Sequence, residues 1–254
     1  MIVNKPASAK DRIILALDVD DFKEARALVQ ELKDYVGFFK VGLQLFTSCG
    51  YKVVEMIHEE GGKVFFDGKF HDIPNTVARA SANLIKNDID FFDIHIKGGS
   101  KMLTSTVKYC NEVAKSLEKD MPTILGVTLL SSFGQRTLNQ ELSVELNIDD
   151  YVASLAKIAN EACLSGVVAS ASEAAQIRKI CGEDFIIVCP AIRPTWSVVD
   201  DQVRVVTPAD AINAGIDYMV IGRPVTKAEN KVDAIQLIID EIEDALAGTY
   251  IKLN

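Results

Sequence analysis

Short runs of β-branched and aromatic residues alternate with longer amphipathic segments along this chain, and the cycle repeats eight times. The runs are RIILALDV (12–19), GFFKVGL (37–43), KVFFDGKF (63–70), DFFDIHI (90–96), TILGVTLL (123–130), GVVAS (166–170), DFIIVCPAI (184–192) and DYMVIGRP (217–224). Between them apolar residues recur at helical spacing, as in DFKEARALVQELKDY (21–35), IPNTVARASANLIKN (73–87) and VDAIQLIIDEIEDALAG (232–248). Strands that read as near-continuous apolar runs, each followed by a helix, imply a parallel sheet covered on its outer face. Eight such units in 254 residues predict an α/β protein of the (β/α)8, or TIM, barrel type, with 1–254 as one domain. A doubly wound open sheet is the competing architecture. Against it, the first strand runs into LDVDDF and not into a glycine fingerprint for a dinucleotide. No Pro-, Gly- or Ser-rich linker marks a domain boundary.

Two connections are longer than a barrel requires: SSFGQRTLNQELSVELN (131–147) after the fifth strand and RPTWSVVDDQVRVV (193–206) after the seventh. Loops that follow strands open onto the C-terminal mouth of a barrel, where its active site is expected. Each is therefore either a lid or a rigid insertion.

Composition narrows the class of partner. A net charge of −9 argues against a nucleic-acid binder, which carries a basic stripe, so an anionic ligand must be captured by a local cluster of donors. The longest apolar stretches are too short to span a bilayer. MIVNKPASAKDR lacks an apolar segment ending in a small-residue cleavage site, so a cytoplasmic protein is expected. The five cysteines are widely spaced, with no CxxC, and predict small buried thiols, with neither a disulfide framework nor a zinc site.

Charges interrupt the apolar runs at the strand ends. In FFDGKFHDIPNTV (65–77), Asp67, Lys69 and Asp72 fall within six residues, and unpaired charge is costly to bury. Side chains alternate along a strand, so Asp67 and Lys69 are expected on one face, the barrel interior. Asp72 follows where the chain turns, and Pro74 suits the first turn of the next helix. The first strand ends at Asp18 and the second carries Lys40. With neighbouring strands roughly 4.8 Å apart, Asp18, Lys40, Asp67 and Lys69 can form an alternating network in which each charge is paired. Ordinary salt bridges closing the barrel are the plainer alternative. The eighth strand finishes YMVIGRPVT, where Gly222 and Arg223 offer backbone N–H groups and a guanidinium to a phosphate, as barrel phosphate sites after strands seven and eight do. His71 reads as scaffold or packing, His95 as a hydrogen-bonded interior residue and His58 as a helix surface residue. Three isolated histidines make no metal site.

The segment DGKFHDIPNT (67–76) resembles the D-x-K-x-H-D-I-P-N-T motif of the orotidine 5′-phosphate decarboxylase family. The likeness extends through LALDV (15–19), FKVGL (39–43), IHIKGG (94–99), GVTLLSS (126–132), CPAIRP (189–194) and DDQVRVVTPADAINAGIDYMVIGRPVT (200–226), in the family's order. Ala191 stands where a glycine is usual, and Ser131–Ser132 replace the commoner Thr-Ser.

The resemblance implies a (β/α)8 barrel working as a homodimer that converts orotidine 5′-monophosphate to UMP and CO2, without metal or organic cofactor. It implies that Lys69 protonates ring carbon 6 and that Asp67 lies by the substrate carboxylate. Lys40 would pair with the acids and touch the ribose, and Asp18 would hold a ribose hydroxyl. Asp72 and Thr76 would reach across the dimer. Thr128 would contact the pyrimidine or the ribose, with Ile73 and Pro190 also counted among the substrate-binding residues. Arg193, Gln202, Gly222 and Arg223 would line the phosphate and lid region. The nearest rival is a Mg2+-dependent sugar-phosphate decarboxylase or aldolase of the same barrel superfamily, which carries a glutamate in place of Lys40. A nucleotide-phosphate binder without turnover is the other alternative.

Overall fold

Each predicted apolar run contains a strand in the computed structural model, which describes residues 5–197 and 206–250. The strands are β1 (Ile13–Ala16), β2 (Phe38–Gly42), β3 (Val64–Phe70), β4 (Phe91–His95), β5 (Thr123–Val127), β6 (Gly166–Val168), β7 (Ile186–Cys189) and β8 (Tyr218–Ile221). Their order is sequential and closes into a barrel, which settles the choice against the open sheet. All eight strands are shorter than the apolar runs, because flanking residues leave the ladder to begin loops.

The helices are α1 (Phe22–Leu32), α2 (Leu43–Cys49), α3 (Lys52–Glu59), α4 (Pro74–Lys86), α5 (Ser100–Ser116), α6 (Ile148–Glu161), α7 (Ala174–Cys181), α8 (Pro208–Asn213), α9 (Arg223–Thr226) and α10 (Lys231–Ala247). Local chemistry sets their starts. Asp21 caps α1 by accepting from the N–H groups of Lys23 and Glu24 at 2.8 and 3.1 Å, and Pro74 opens α4, where its missing N–H costs nothing.

The described residues form two compact units, one running from Gly68 to Val188 and the other combining those of Asn4–Asp67 and Cys189–Asn254. In the first unit, β4, β5, β6 and β7 pair in parallel, with Asp93 opposite Leu125 and Val167 opposite Ile187. Phe92, Ile94, Leu125, Val167 and Ile187 are fully buried there. Gly166 is required by this packing, since a Cβ would run into the Ile186 carbonyl. The 131–147 connection contains one π-helical turn, Thr137–Glu141, pinned by the buried Leu138.

In the second unit β1 pairs with both β2 and β8, and β2 with β3. Ile14, Leu15, Phe39, Val41, Met219 and Ile221 form its buried centre. The two ends of the 193–206 connection are tied together by a parallel bridge between Ile192 and Val206, with the Arg193 N–H donating to the Val206 carbonyl at 3.0 Å. Residues 198–205, and with them Gln202, lie outside the described residues.

Among the described residues no helix is long and apolar enough to cross a membrane. Among the described residues no disulfide joins any of the five cysteines. Cys110 and Cys189 are buried as expected, but Cys49 and Cys181 are half-buried and Cys163 is exposed. Cys163 occupies a left-handed turn (φ 60°) after α6, which carries its side chain out of the core.

Candidate active site

The register of the first three strands assembles the charge cluster. Ala16 lies opposite Lys40, and Gly42 opposite Asp67. Lys40 therefore rises between two acids, with its Nζ 3.1 Å from Asp18 Oδ1 and 3.2 Å from Asp67 Oδ2. The Lys40 residue is 8% exposed, so its ammonium is stable only because carboxylates face it. Burial by itself favours the neutral amine. The charges of Asp67 and Asp18, with their hydrogen bonds, outweigh burial and hold the pKa above the ordinary lysine value.

Gly42 was not among the predicted site residues, yet it makes room for this ammonium. A Cβ there would come within 3.0 Å of Lys40 Nζ and 3.9 Å of Asp18 Oδ1. The available signal was a glycine two places after a lysine on one strand, and so on the same face.

In the other unit, the last residues of β3 depart from regular strand geometry. Lys69 has φ 46°, in the left-handed region that residues with side chains seldom occupy. The period-two alternation used to place Asp67 and Lys69 on one face assumes an extended backbone, which Lys69 does not keep. Its backbone N–H donates to Asp93 Oδ1 at 2.7 Å. Lys69 itself is half-buried. Asp93, in the middle of β4, is 1% exposed and is a second residue that sequence reasoning missed, hidden inside the apolar run DFFDIHI.

His95 also differs from expectation. It is half-buried at the end of β4, and its Nδ1 is buried with no hydrogen-bond partner among the described residues. The exposed His71 ring stands 5.3 Å from it, centroid to centroid. Burial, followed by the positive charges of Lys97, His71 and Lys69, pushes the His95 pKa down to about 4, so its imidazole is neutral at physiological pH. Lys97 places its Nζ 5.4 Å from the centroid of the Phe133 ring, a cation–π contact onto the start of the 131–147 loop. His58 is half-buried in the last turn of α3.

The remaining predicted residues fall into three settings. Asp72, Ile73 and Thr76 are exposed at the start of α4, with Ile73 67% accessible and its N–H donating to Asp72 Oδ1 at 2.6 Å. Thr128 is buried just past β5, where its hydroxyl donates to the Val168 carbonyl at 2.9 Å; its proton is thus already engaged, and only its oxygen lone pairs remain for a ligand. Pro190 is half-buried after β7, and Arg193 is half-buried with its Nε buried and unpartnered among the described residues. Gly222 precedes the short helix α9, and the exposed Arg223 begins it. A Cβ on Gly222 would stand 3.7 Å from Asp18 Oδ2, which puts the end of β8 beside the acid after β1.

Among the described residues no group of three or more His, Cys, Asp and Glu could hold a metal ion. The cluster itself holds two carboxylates and one ammonium.

A closed parallel barrel with an acid–lysine–acid cluster on its first three strands, Asp18 just past β1 and Lys40 and Asp67 within β2 and β3, is the arrangement of a barrel enzyme. The class can be made specific. Residues 11–238 match the model of the orotidine 5′-phosphate decarboxylase / HUMPS family, and the chain belongs to that family. It is 47% identical over 237 residues to an orotidine 5′-phosphate decarboxylase of Syntrophomonas wolfei, covering 93% of this chain and 99% of that protein. Its likeness to the enzyme of the same name from Moorella thermoacetica is 46% over 235 residues, or 92% and 93% of the two chains. A crystal structure of orotidine 5′-phosphate decarboxylase from Lactobacillus acidophilus superposes with a TM-score of 0.80 at 32% identity, over 94% of this chain and 99% of that one.

Proposed function

We propose that this chain decarboxylates orotidine 5′-monophosphate to UMP as a single catalytic barrel, in a cytoplasmic homodimer. The observation that carries this reading is the buried Lys40 ammonium between Asp18 and Asp67. The 42–47% identity to relatives bearing that enzyme's name supports it.

In the proposed step the bond from ring carbon 6 to the carboxylate breaks, CO2 departs, and the electron pair stays on carbon 6. That orbital lies in the ring plane, so the π system does not delocalise it. The Lys69 ammonium stabilises the developing charge and delivers a proton to it, leaving the neutral amine. Fixed charges act strongly here because they need no reorganisation as the reaction proceeds. Asp67 faces the departing carboxylate, and Lys40 fixes Asp67 while touching the ribose. Asp18 holds a ribose hydroxyl, and Thr128, Ile73 and Pro190 bound the pyrimidine and sugar. Arg193, Gln202, Gly222 and Arg223 take the phosphate, whose binding energy is remote from carbon 6 and is available to hold the reacting end in register. The exposure of Asp72 and Thr76 fits their reaching into a partner's site.

Lys69→Ala is expected to reduce loss of the orotate absorbance to a small residual rate while UMP affinity stays within about threefold of the parent, because the phosphate and ribose contacts remain. A variant that keeps most of its rate would remove Lys69 from the role of proton donor. The Mg2+-dependent sugar-phosphate reading is separated by turnover in excess EDTA, which should continue; complete loss would favour that rival, although the Lys40 ammonium would repel a cation. Mixing Asp72→Asn with Lys69→Ala chains should restore part of the activity through mixed dimers. No recovery in demonstrated heterodimers would sink the shared site.

A further inference from the structure

We infer that Asp93 is a positioning residue that sets the direction of the Lys69 side chain by gripping its backbone. This rests on the reading of Lys69 as proton donor. Two observations converge on the same pair. Lys69 holds a left-handed backbone conformation (φ 46°) inside a strand, and that strain persists only where the surroundings over-determine it. Asp93 supplies the constraint, accepting the Lys69 N–H at 2.7 Å, the short length of a charge-assisted bond.

The location of Asp93 strengthens the case. It sits among Phe91, Phe92 and Ile94 at 1% exposure, where a carboxylate is costly unless it is paired or hydrogen-bonded. An apolar residue would suit β4 better if strand packing were the only demand. The consequence for Lys69 is geometric. The backbone dihedrals fix the Cα–Cβ direction, and at φ 46° that direction differs from the one a continuing strand would give. Lys69 therefore leaves the strand along a path of its own, and the carboxylate of Asp93 keeps it there. Proton delivery requires the ammonium nitrogen about 3–3.5 Å from its target and correctly aligned, and a misplacement of about 1 Å can cost roughly a hundredfold in rate.

The test compares Asp93→Leu, which removes the acceptor, with Asp93→Asn, which keeps a carbonyl acceptor. Both are assayed for kcat on orotidine 5′-monophosphate and for UMP affinity by calorimetry. Asp93→Leu should lower kcat by about a hundredfold, with UMP affinity changed by less than about threefold. Asp93→Asn should recover to within about tenfold of the parent, a neutral bond being weaker than a charged one. In a Lys69→Ala background, neither substitution should change the residual rate further, since residues acting as a unit are not additive.

A near-parental kcat in Asp93→Leu would overturn the inference. So would a parallel fall of kcat and UMP affinity, which is the mark of general structural damage, or an Asp93→Asn variant no better than Asp93→Leu. If Asp93→Leu does not fold, Asp93→Asn decides: a severalfold loss of kcat at unchanged UMP affinity, absent in the Lys69→Ala background, supports the positioning role, and any other result refutes it. Failure of the proton-donor reading is separately visible, because Lys69→Ala alone would then remain active.

Discussion

Replacing Lys40 by methionine removes one charge from a three-membered cluster while nearly preserving volume. At 3.1 and 3.2 Å, each ion pair has a gross attraction of about 5 kcal/mol at an effective dielectric of 20. Burial of the charges offsets much of this. The two arms are unequal, because the side chain of Asp18 is 57% exposed and that of Asp67 only 14%. Solvent screens the Asp18 arm to about 1 kcal/mol or less. The Asp67 carboxylate would stay largely buried without the ammonium, a loss of about 3–5 kcal/mol. With a urea m-value of about 2–3 kcal/mol/M, the midpoint should fall by roughly 1–2 M at pH 7.5.

The cause is checked by adding Asp67→Asn to Lys40→Met, which removes the stranded charge and should restore most of the midpoint. pH supplies a second check. The pKa of Lys40 is raised in the folded protein, so its stabilising effect is complete below the unfolded lysine value of about 10.4 and fades as pH rises through the folded one. The gap between parent and Lys40→Met should therefore narrow in strong alkali. A midpoint unchanged by Lys40→Met, or a double variant weaker than the single one, would refute the argument that Asp67 is buried by virtue of Lys40.

Two further outcomes follow from backbone and titration. Ala191 has φ 61°, where an alanine is strained and a glycine is not, so Ala191→Gly should stabilise by about 0.5–1 kcal/mol and raise Tm by roughly 2–3 °C; a lower Tm would count against it. His95 titrates at about 4 in the fold against about 6.5 unfolded, so the unfolded state binds more protons between these values and stability falls as pH drops through that window. Allowing for its partial exposure, the loss is about 1–2 kcal/mol. His95→Gln should flatten the urea-midpoint profile between pH 7 and 4.5, and an unchanged slope would exclude His95 as the source.

The fold was legible because its signal is periodic and local. A run such as DFIIVCPAI is too apolar to tolerate water on either face, and eight such runs separated by amphipathic segments leave few architectures that bury them all. Strand ends were less legible. β1 stops at Ala16, yet Leu17 still donates to the Lys40 carbonyl at 3.1 Å, so the boundary depends on the neighbouring strand. The acids and lysines of the cluster stood out because charges inside apolar runs need partners. Asp93 did not, since its partner is a backbone N–H on another strand. Gly42 was silent for a related reason: its value lies in the side chain it lacks.

By itself the sequence determined the alternation of strand and helix, the family through its ordered motifs, and which ionisable groups had to find partners. Tertiary structure alone decided which charges meet, because register sets Ala16 against Lys40 and Gly42 against Asp67. It alone decided that Lys69 leaves the regular strand path, because that conformation is held by a carboxylate 24 residues away in the chain. Periodicity is written in near neighbours, whereas pairing and strain are fixed by residues that become neighbours only on folding.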